Sequence, residues 1–573
     1  MKILVVGGVA GGASFSARMR RLNEKAEIIM FERGEYISFA NCGLPYYAGD
    51  VIKEKENLLI QKPEKFGKRF NIDVRILNEV LSIDRVNKKI LVRNRKTGEK
   101  YEETYDKLVL SPGAEPVMLP IEGADLEGVH RIRTVPDIEV VRKKIDSGKV
   151  KKAVVIGAGF IGIEMAENLA HRGVEIYVVE MLDQVMPNFD KDMAVIIHRE
   201  IVRNGVILNL NDKVCKISKQ NDALCVETES GKKIVVDIVI MASGVKPEVQ
   251  LAKDAGLKIG NKGILVDEYM RTSDPNIFAI GDAVEVKNPI TGTIMHIPLA
   301  WPAVRQALVA ANNIAGVEDK YKGTIGTSVV KVFSKTVAMT GINEKMLVKM
   351  NLPYEKIYLY PANHAGYYPG ASPIALKILY NKETGEIFGV QAVGGEGTEK
   401  QIDIFSVAIR AKINIENLAD YDFCYAPPYG SSKSPVNFAG MVAKNHRLGL
   451  SPLTHWDRLK GDEFLLDVRT KEEVEETRVE NAYHIPVDEL RNRLDELPRD
   501  KKIAVFCRVG VRAHIANRIL IQNGFKSYNI SGGYKAYVNY MQAKMQGNEP
   551  GFLVTEETIN EVFCTTPTWE KNK

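Results

Sequence analysis

Two glycine-rich turns, each set between an apolar strand and a helix, constrain this chain more than any other feature. The second is complete. KAVVI at 152–156 reads as a buried parallel strand, GAGFIG follows from Gly157 to Gly162, and a helix runs through Glu164 to Leu169. The strand EIYVVE then ends at Glu180. Glycines at 157, 159 and 162 let the backbone approach a pyrophosphate at the helix N-terminus, and a strand-end acid reaches ribose hydroxyls. A carboxylate there favours a free 2′-hydroxyl, hence NADH over NADPH, and Met181 rather than an arginine follows it.

The first turn is less regular. KILVV at 2–6 leads into GGVAGG, with Gly7, Gly8, Gly11 and Gly12, and the strand AEIIMFE ends at Glu32, followed by Arg33. Val9 stands in the register of the second motif glycine, yet the acid lies at the right distance. Two nucleotide sites in one chain suggest a bound flavin and a nicotinamide. Further on, NIFAIGDAVEV carries Gly281, Asp282 and Ala283 after a strand, where an aspartate can hold a ribityl or ribose hydroxyl. The loop with Ser111 and Gly113 reads as the crossover between the two units. The cofactor set is therefore Gly7, Gly8, Gly11, Gly12, Glu32, Arg33, Ser111, Gly113, Gly281, Asp282 and Ala283 for the flavin. Gly157, Gly159, Gly162 and Glu180 serve the nicotinamide.

The helix after the first turn has two faces. Phe15, Met19 and Leu22 form an apolar stripe, while Ser14, Arg18 and Arg21 align on another face. Guanidinium forks match phosphate oxygens, so this second face can hold phosphates, although a solvated helix face has the same pattern.

The stretch SFANCGLPYY, Ser38 to Tyr47, holds Cys42 where the chain turns into a helix, with Pro45 in its first turn. Unpaired N–H groups and the helix dipole at such a place favour the thiolate. The next cysteine is Cys215, so Cys42 has no resolving partner nearby and a small-molecule thiol is the natural one. A buried structural cysteine is the alternative.

Bulk properties exclude several classes. A net charge of +5 over 573 residues implies no nucleic-acid surface. No apolar run approaches the ~20 residues of a membrane helix. MKILVVGGVAGG fits a strand and phosphate turn better than a signal peptide. Six scattered cysteines without CxxC pairs suggest a reducing cytoplasm, and the nine histidines show no ligand spacing, so no metal is expected.

With these motifs the chain resembles the two-dinucleotide flavoprotein disulfide reductases, an FAD domain split around an NAD(P)H domain and followed by an interface domain. Most members pair two cysteines as CxxxxC, but the fifth position after Cys42 is Tyr47. Among single-cysteine members, the oxidases and peroxidases carry a histidine in the first glycine turn, where Ala10 stands here. SFANCGLPYY and GGVAGGAS resemble coenzyme A disulfide reductase, over residues 1 to about 446. That resemblance implies a homodimer in which one tyrosine from HAGYYPGA and one from DFCYAPPYGSSK reach the other subunit's cysteine. The matching residues are Tyr367, with Tyr368 as the alternative, and Tyr425. A phenol there can protonate a departing coenzyme A thiolate. It also implies coenzyme A contacts from Ser14, Arg18, Arg21, Ser38, Asn41 and Lys433. His364 reads as structural.

The pattern changes near 446–455. FLLDVR, ENAYHIPVDEL and the strand KIAVFC precede CRVGVR, Cys507 to Arg512, which opens a helical run. A cysteine in a loop between strand and helix, with Gly510 and flanking arginines, is an anion cradle able to stabilise a thiolate or persulfide. The loop, the DVR strand, the HIP segment and ISGGY resemble a single rhodanese domain, which implies that Cys507 carries sulfane sulfur beside Arg512. A phosphatase-like loop needs a longer Cys-to-Arg spacing.

The expected fold is α/β: two Rossmann-type dinucleotide domains, an α+β dimerisation domain and an α/β rhodanese domain. The expected boundaries are FAD domain 1–112 and 244–323, NADH domain 113–243, interface domain 324–446, linker 447–455, rhodanese domain 456–546 and a tail 547–573 without assigned role. The expected activity passes hydride from NADH through FAD to Cys42 and coenzyme A, reducing persulfides or polysulfides, with Cys507 handling sulfane sulfur. A disulfide reductase with an accessory rhodanese domain, an NADH oxidase and a redox-sensing flavoprotein are the competing readings.

Overall fold

The computed structural model describes residues 1–562. The first glycine turn leaves the centre of a five-stranded parallel sheet. Strand Lys2–Val6 lies between Glu27–Glu32 and Lys107–Leu110, with Asp73–Ile76 and Ile277–Ala279 at the edges. The last of these returns from far along the sequence, so the FAD-type unit is split as the GDA segment requires. Its interior strands are apolar on both faces, as a covered parallel sheet demands. Helix Ala10–Leu22 runs from the turn and packs along helix Ala300–Ile314.

The second unit repeats the plan. Strand Lys152–Ile156 pairs in parallel with Glu175–Val179 and Ile238–Met241, and the sheet continues to Ile207–Leu210 and Val129–Arg131. Helix Phe160–His171 starts at the complete glycine turn. Residues 328–394 form a five-stranded antiparallel sheet, covered by helices Thr398–Arg410 and Pro435–Arg447. A third α/β unit closes the chain: a five-stranded parallel sheet with strand Ile503–Phe506 at its centre, followed by Cys507 and helix Val511–Gln522.

Two boundaries differ from expectation. Leu453–Thr454, placed in the linker by sequence, pairs with Asn529–Ile530 as the edge strand of the last sheet, so the connection after Arg447 is shorter. Residues 547–573 had no assigned role. Phe552–Val554 adds an antiparallel strand to Ile207–Leu210, covering the open edge of the second nucleotide sheet. Cys564, in that tail, lies outside the described residues.

The last unit is thereby tied to the body at both ends and across its face. Lys356, only 3% exposed, bridges Glu344 at 2.8 Å and Asp457 at 2.7 Å. His455 Nε2 meets Glu355 at 2.9 Å, and the Tyr358 N–H donates to Ser531 Oγ at 2.9 Å. A buried cation without partners would be costly, and these carboxylates hold the lysine charge across the seam.

Candidate active site

The two glycine turns are built alike. Gly7 has φ +96° and a Cβ there would lie 2.0 Å from the Ser111 carbonyl oxygen, while Gly157 has φ +100° against Ala242. A Cβ on Gly12 or Gly162 would strike the carbonyl of Gly7 or Gly157, so helix and strand approach only through glycine. Gly159 faces open space, and Val9 stands at the matching place in the first turn. Each strand-end acid reaches back to its own turn. Glu32 accepts from the Gly8 N–H at 2.8 Å and the Gly34 N–H at 2.7 Å. Glu180 accepts from Ala158 at 2.7 Å and Leu182 at 2.9 Å. Burial pushes the Glu180 carboxyl up, against the pull of these N–H groups.

A cleft of about 820 Å³ opens at the first turn. It is lined by Gly7, Gly11, Glu32, Ser111, Gly113 and Asp282, with Arg33, Gly281 and Asn41 also on its wall. Its volume, its glycine-bared floor and its half-buried aspartate fit an FAD. The Gly281 N–H donates to the buried Gln306 at 2.7 Å, which fixes the GDA turn; Ala283 is packed beneath it in the core. Arg33 and Arg133 both reach Glu248 at the rim.

Cys42 stands next to Asn41 at the edge of this cleft, in the single turn Asn41–Gly43 ahead of helix Leu44–Ala48. Ser38, four residues earlier, holds φ +44° and donates its N–H to Gly8, tying the cysteine loop to the nucleotide turn. The thiolate preference expected from the helix is not what these surroundings produce. Desolvation, then the carboxylates of Glu164 and Asp282, push the Cys42 thiol up, outweighing a backbone N–H that acts the other way. The helix has five residues and its dipole is correspondingly short.

Glu164 is the residue sequence reasoning passed over. It sits on the helix of the second glycine turn and accepts from Tyr46 Oη at 3.2 Å. Burial raises its carboxyl to about 7. The SFANCGLPYY segment and the nicotinamide-type unit therefore meet at a carboxylate able to change charge near neutrality. Its helical spacing gave no sign of this, because the contact is tertiary.

The arginine face divides. Arg18 is half-buried and donates to Asn312 Oδ1 at 2.9–3.0 Å, Asn312 in turn bonding Asp319. Arg21 is exposed and Ser14 half-buried on the same face. The intervening Arg20 is buried against the carbonyls of Phe70 and Asn71 and serves the fold. Tyr367 and Tyr425, 58 residues apart, share a hydrogen bond between their hydroxyls at 2.8 Å, and both rings are exposed. Tyr368 packs edge-on against the buried His364. The geometry thus separates the two adjacent tyrosines, and Tyr367 is the one paired with Tyr425. Lys433, in the same segment as Tyr425, is exposed just before helix Pro435–Arg447. Among the described residues no hydrogen bond links the tyrosine pair to Cys42 of the same chain.

In the third unit Cys507 is 1% exposed and its Sγ accepts from the Gly510 N–H at 3.1 Å. Gly510 holds φ +105°, which aims that N–H into the loop. Arg512 forks onto Glu473 at 2.6 and 2.8 Å while its charge also faces Cys507. Burial raises the Glu473 carboxyl, but Arg512 and a backbone N–H outweigh it and hold the group below its usual range. Glu473, unmarked in the sequence, therefore sets the Arg512 orientation.

The comparisons agree with this architecture. Residues 1–307 match the pyridine nucleotide-disulphide oxidoreductase model, 327–434 its dimerisation domain, and 451–540 the rhodanese-like domain. The chain is 39% identical over 440 residues to an NADH oxidase of Methanocaldococcus jannaschii, covering 77% of this chain and 98% of that one. It is 35% identical over 445 residues to a coenzyme A disulfide reductase of Staphylococcus aureus, covering 77% and 100%. Two solved structures resemble it along nearly their full length. Reduced Bacillus anthracis CoADR-RHD has TM-score 0.92 and 46% identity, covering 94% and 98%. An NAD-dependent persulfide reductase from A. fulgidus has TM-score 0.87 and 39% identity, covering 94% and 100%. Among the described residues no helix is long and apolar enough to cross a membrane. The chain belongs to the pyridine nucleotide-disulphide oxidoreductases, FAD-dependent enzymes that use NAD(P)H, and carries their dimerisation domain and a C-terminal rhodanese domain.

Proposed function

We propose that the enzyme reduces persulfide sulfur with NADH, using Cys42 and coenzyme A as the thiol pair and Cys507 as the sulfane-sulfur carrier. The observation that carries this is the pairing, in one chain, of an unpartnered Cys42 at the flavin-type cleft with a second thiol, Cys507, cradled by the Gly510 N–H. A single cysteine at the first site needs a thiol from elsewhere to complete a disulfide. Coenzyme A suits the Ser14, Arg18 and Arg21 face, with Ser38, Asn41 and Lys433 as further contacts.

A bound FAD supplies two-electron transfer between the nicotinamide and the thiol. The Gly7–Gly12 turn, Glu32 and Asp282 hold its phosphates, ribose and ribityl chain. Gly157, Gly159 and Gly162 seat the pyrophosphate of NADH, and Glu180 takes its ribose hydroxyls. Glu164, raised to about 7 beside Cys42, holds a proton near the thiol at neutral pH and lowers the local negative charge when it does so. In a homodimer the Tyr367–Tyr425 pair serves the partner's cysteine as a proton donor to the leaving thiolate. The persulfide reductase and coenzyme A disulfide reductase relatives lend this reading weight. The NADH oxidase relative favours oxygen as acceptor, but it matches only 77% of this chain, against the 94% matched by the persulfide reductase structure.

The test is steady-state NADH oxidation by two variants against two donor classes. Cys42→Ser abolishes reduction of every sulfur substrate while flavin reduction by NADH persists. Cys507→Ser spares coenzyme A disulfide and coenzyme A persulfide, and lowers turnover on donors that must first load the rhodanese unit. Full activity of Cys507→Ser on every donor leaves the simple disulfide reductase, and oxygen uptake without added sulfur favours the oxidase.

A further inference from the structure

Past helix Gly533–Met545, the last helix of the rhodanese unit, the chain crosses to the nicotinamide-type unit. There Phe552–Val554 pairs with Ile207–Leu210, Leu553 opposite Asn209. Glu180 donates its own N–H to the Asn209 carbonyl at 2.9 Å, so only one strand separates the tail from the acid.

Asn211 joins the two. Its N–H donates to the Leu182 carbonyl at 2.8 Å, and the Leu182 N–H donates to Glu180 Oε1 at 2.9 Å. Toward the tail, its carbonyl accepts from the Gly551 N–H at 2.9 Å and its Nδ2 donates to the Gly547 carbonyl at 3.2 Å. Asn211 holds φ +50°, a region asparagine enters more readily than most residues. Glycine lets the tail come this close: a Cβ on Gly547 would lie 2.5 Å from Asp183 Cβ, and the backbone there has φ +78°.

A second connection starts from Gln546, which is 1% exposed. Its Oε1 lies 2.7 Å from His198 Nδ1, and His198 Nε2 accepts from the Val185 N–H at 3.1 Å. Burial lowers His198 to about 4, so the ring is neutral. With Nε2 accepting, Nδ1 carries the proton and donates it to Gln546. Met186, next to Val185, donates its N–H to the Ala158 carbonyl of the glycine turn at 2.9 Å. The loop 180–186 is thus anchored to that turn at both ends, through Glu180 and Met186. Between them it is anchored to the tail, through Leu182 and Val185.

We propose that residues 546–554 are a positioning element of the nicotinamide site, a strap from the rhodanese unit that sets the loop after Glu180 for the adenosine half of NADH. The inference rests on the role proposed above for Glu180. Asn211, Gln546 and Gly547 are positioning residues: they act through Leu182, Val185 and Asp183 rather than on the cofactor. The strap governs binding and not hydride transfer, because the nicotinamide lies at the opposite end of the dinucleotide from the ribose that Glu180 takes. The rhodanese unit thereby contributes to NADH affinity through its own C-terminal end.

The experiment is stopped-flow flavin reduction by NADH and NADPH, with the full-length holoenzyme, its Gly547→Val and Gln546→Leu variants, and a chain ending at Met545. Gly547→Val pushes the tail off Asp183, and Gln546→Leu keeps the volume while removing the acceptor for His198. The apparent Kd for NADH is expected to rise about ten-fold for Gly547→Val and the shortened chain, and about three-fold for Gln546→Leu. The limiting rate of flavin reduction is expected to stay within about two-fold of wild type. Amide hydrogen exchange along 181–186 is expected to quicken in parallel. A chain ending at Val562 keeps the strap and is expected to match wild type. Where the chain ending at Met545 fails to fold or to hold flavin, the two full-length variants decide. An unchanged Kd and exchange in both, a loss confined to the limiting rate, or equal weakening in the chain ending at Val562 overturns the strap. The reading of Glu180 fails separately, by Glu180→Gln leaving the kinetics of both cofactors unchanged whatever the tail does.

Discussion

Glu180→Gln tests the proposal that the charge at this position selects the nicotinamide cofactor. The carboxylate is 7% exposed and held by the Ala158 and Leu182 N–H groups, so it cannot swing away without leaving buried donors unpaired. A 2′-phosphate about 5 Å from it, at an effective dielectric near 20, is repelled by about 3 kcal/mol per unit charge, or roughly a hundred-fold in kcat/KM. The glutamine keeps the volume but only one acceptor, so it leaves one of the two N–H groups without its partner, and circular dichroism with flavin content checks that the turn survives. We expect kcat/KM for NADPH to rise by up to about a hundred-fold and that for NADH to fall about ten-fold, through the lost charge-assisted bond to the ribose. Stopped-flow flavin reduction with both cofactors reads this directly. Because burial raises the Glu180 carboxyl, the wild-type discrimination is complete at alkaline pH and shrinks as pH falls and the group protonates. An unchanged NADH-to-NADPH ratio in the variant refutes the role of Glu180.

Three further outcomes follow from named contacts. Glu164 has its carboxyl raised to about 7 from 4.5, so the folded state binds the extra proton and wild-type stability falls as pH climbs through that window. Relative to wild type, Glu164→Gln should gain about 3 kcal/mol between pH 5 and pH 8, at ~1.4 kcal/mol per unit; a Tm difference flat across pH contradicts this. Lys356→Met strips the partner from Asp457 and one from Glu344, and should loosen the rhodanese unit by about 3 kcal/mol, seen as faster hydrogen exchange along 453–458; unaltered exchange there means the bridge is idle. Tyr367→Phe removes one hydroxyl of the exposed pair and should lower turnover on coenzyme A disulfide about ten-fold or more while leaving flavin reduction intact; equal turnover makes the pair structural.

What could be read in the sequence was local. Gly157, Gly159, Gly162 and Glu180 declared a nucleotide turn because strand, turn and helix are contiguous, and the register of a βαβ unit fixes the rest. Cys507, Gly510 and Arg512 were legible for the same reason. Features that depend on chain segments far apart were not. Glu164 meets Tyr46 across 118 residues. Glu473 claims Arg512 across 39. The tail strand Phe552–Val554 finds its edge at Ile207–Leu210 although its own three residues carry no strong pattern. The thiolate preference read for Cys42 did not hold because the helix after it is one short turn, while desolvation, and then the charges of Glu164 and Asp282, push the thiol up. Adjacent tyrosines 367 and 368 are indistinguishable by motif, and only the hydroxyl contact with Tyr425 tells them apart.

The most direct test of the account is the intact mass of the purified oxidised enzyme, with and without reductant, followed by peptide mapping. The account predicts a gain equal to coenzyme A on the peptide containing Cys42, lost on reduction. A Cys42 found only as sulfenic acid, or unmodified after incubation with coenzyme A disulfide, contradicts it.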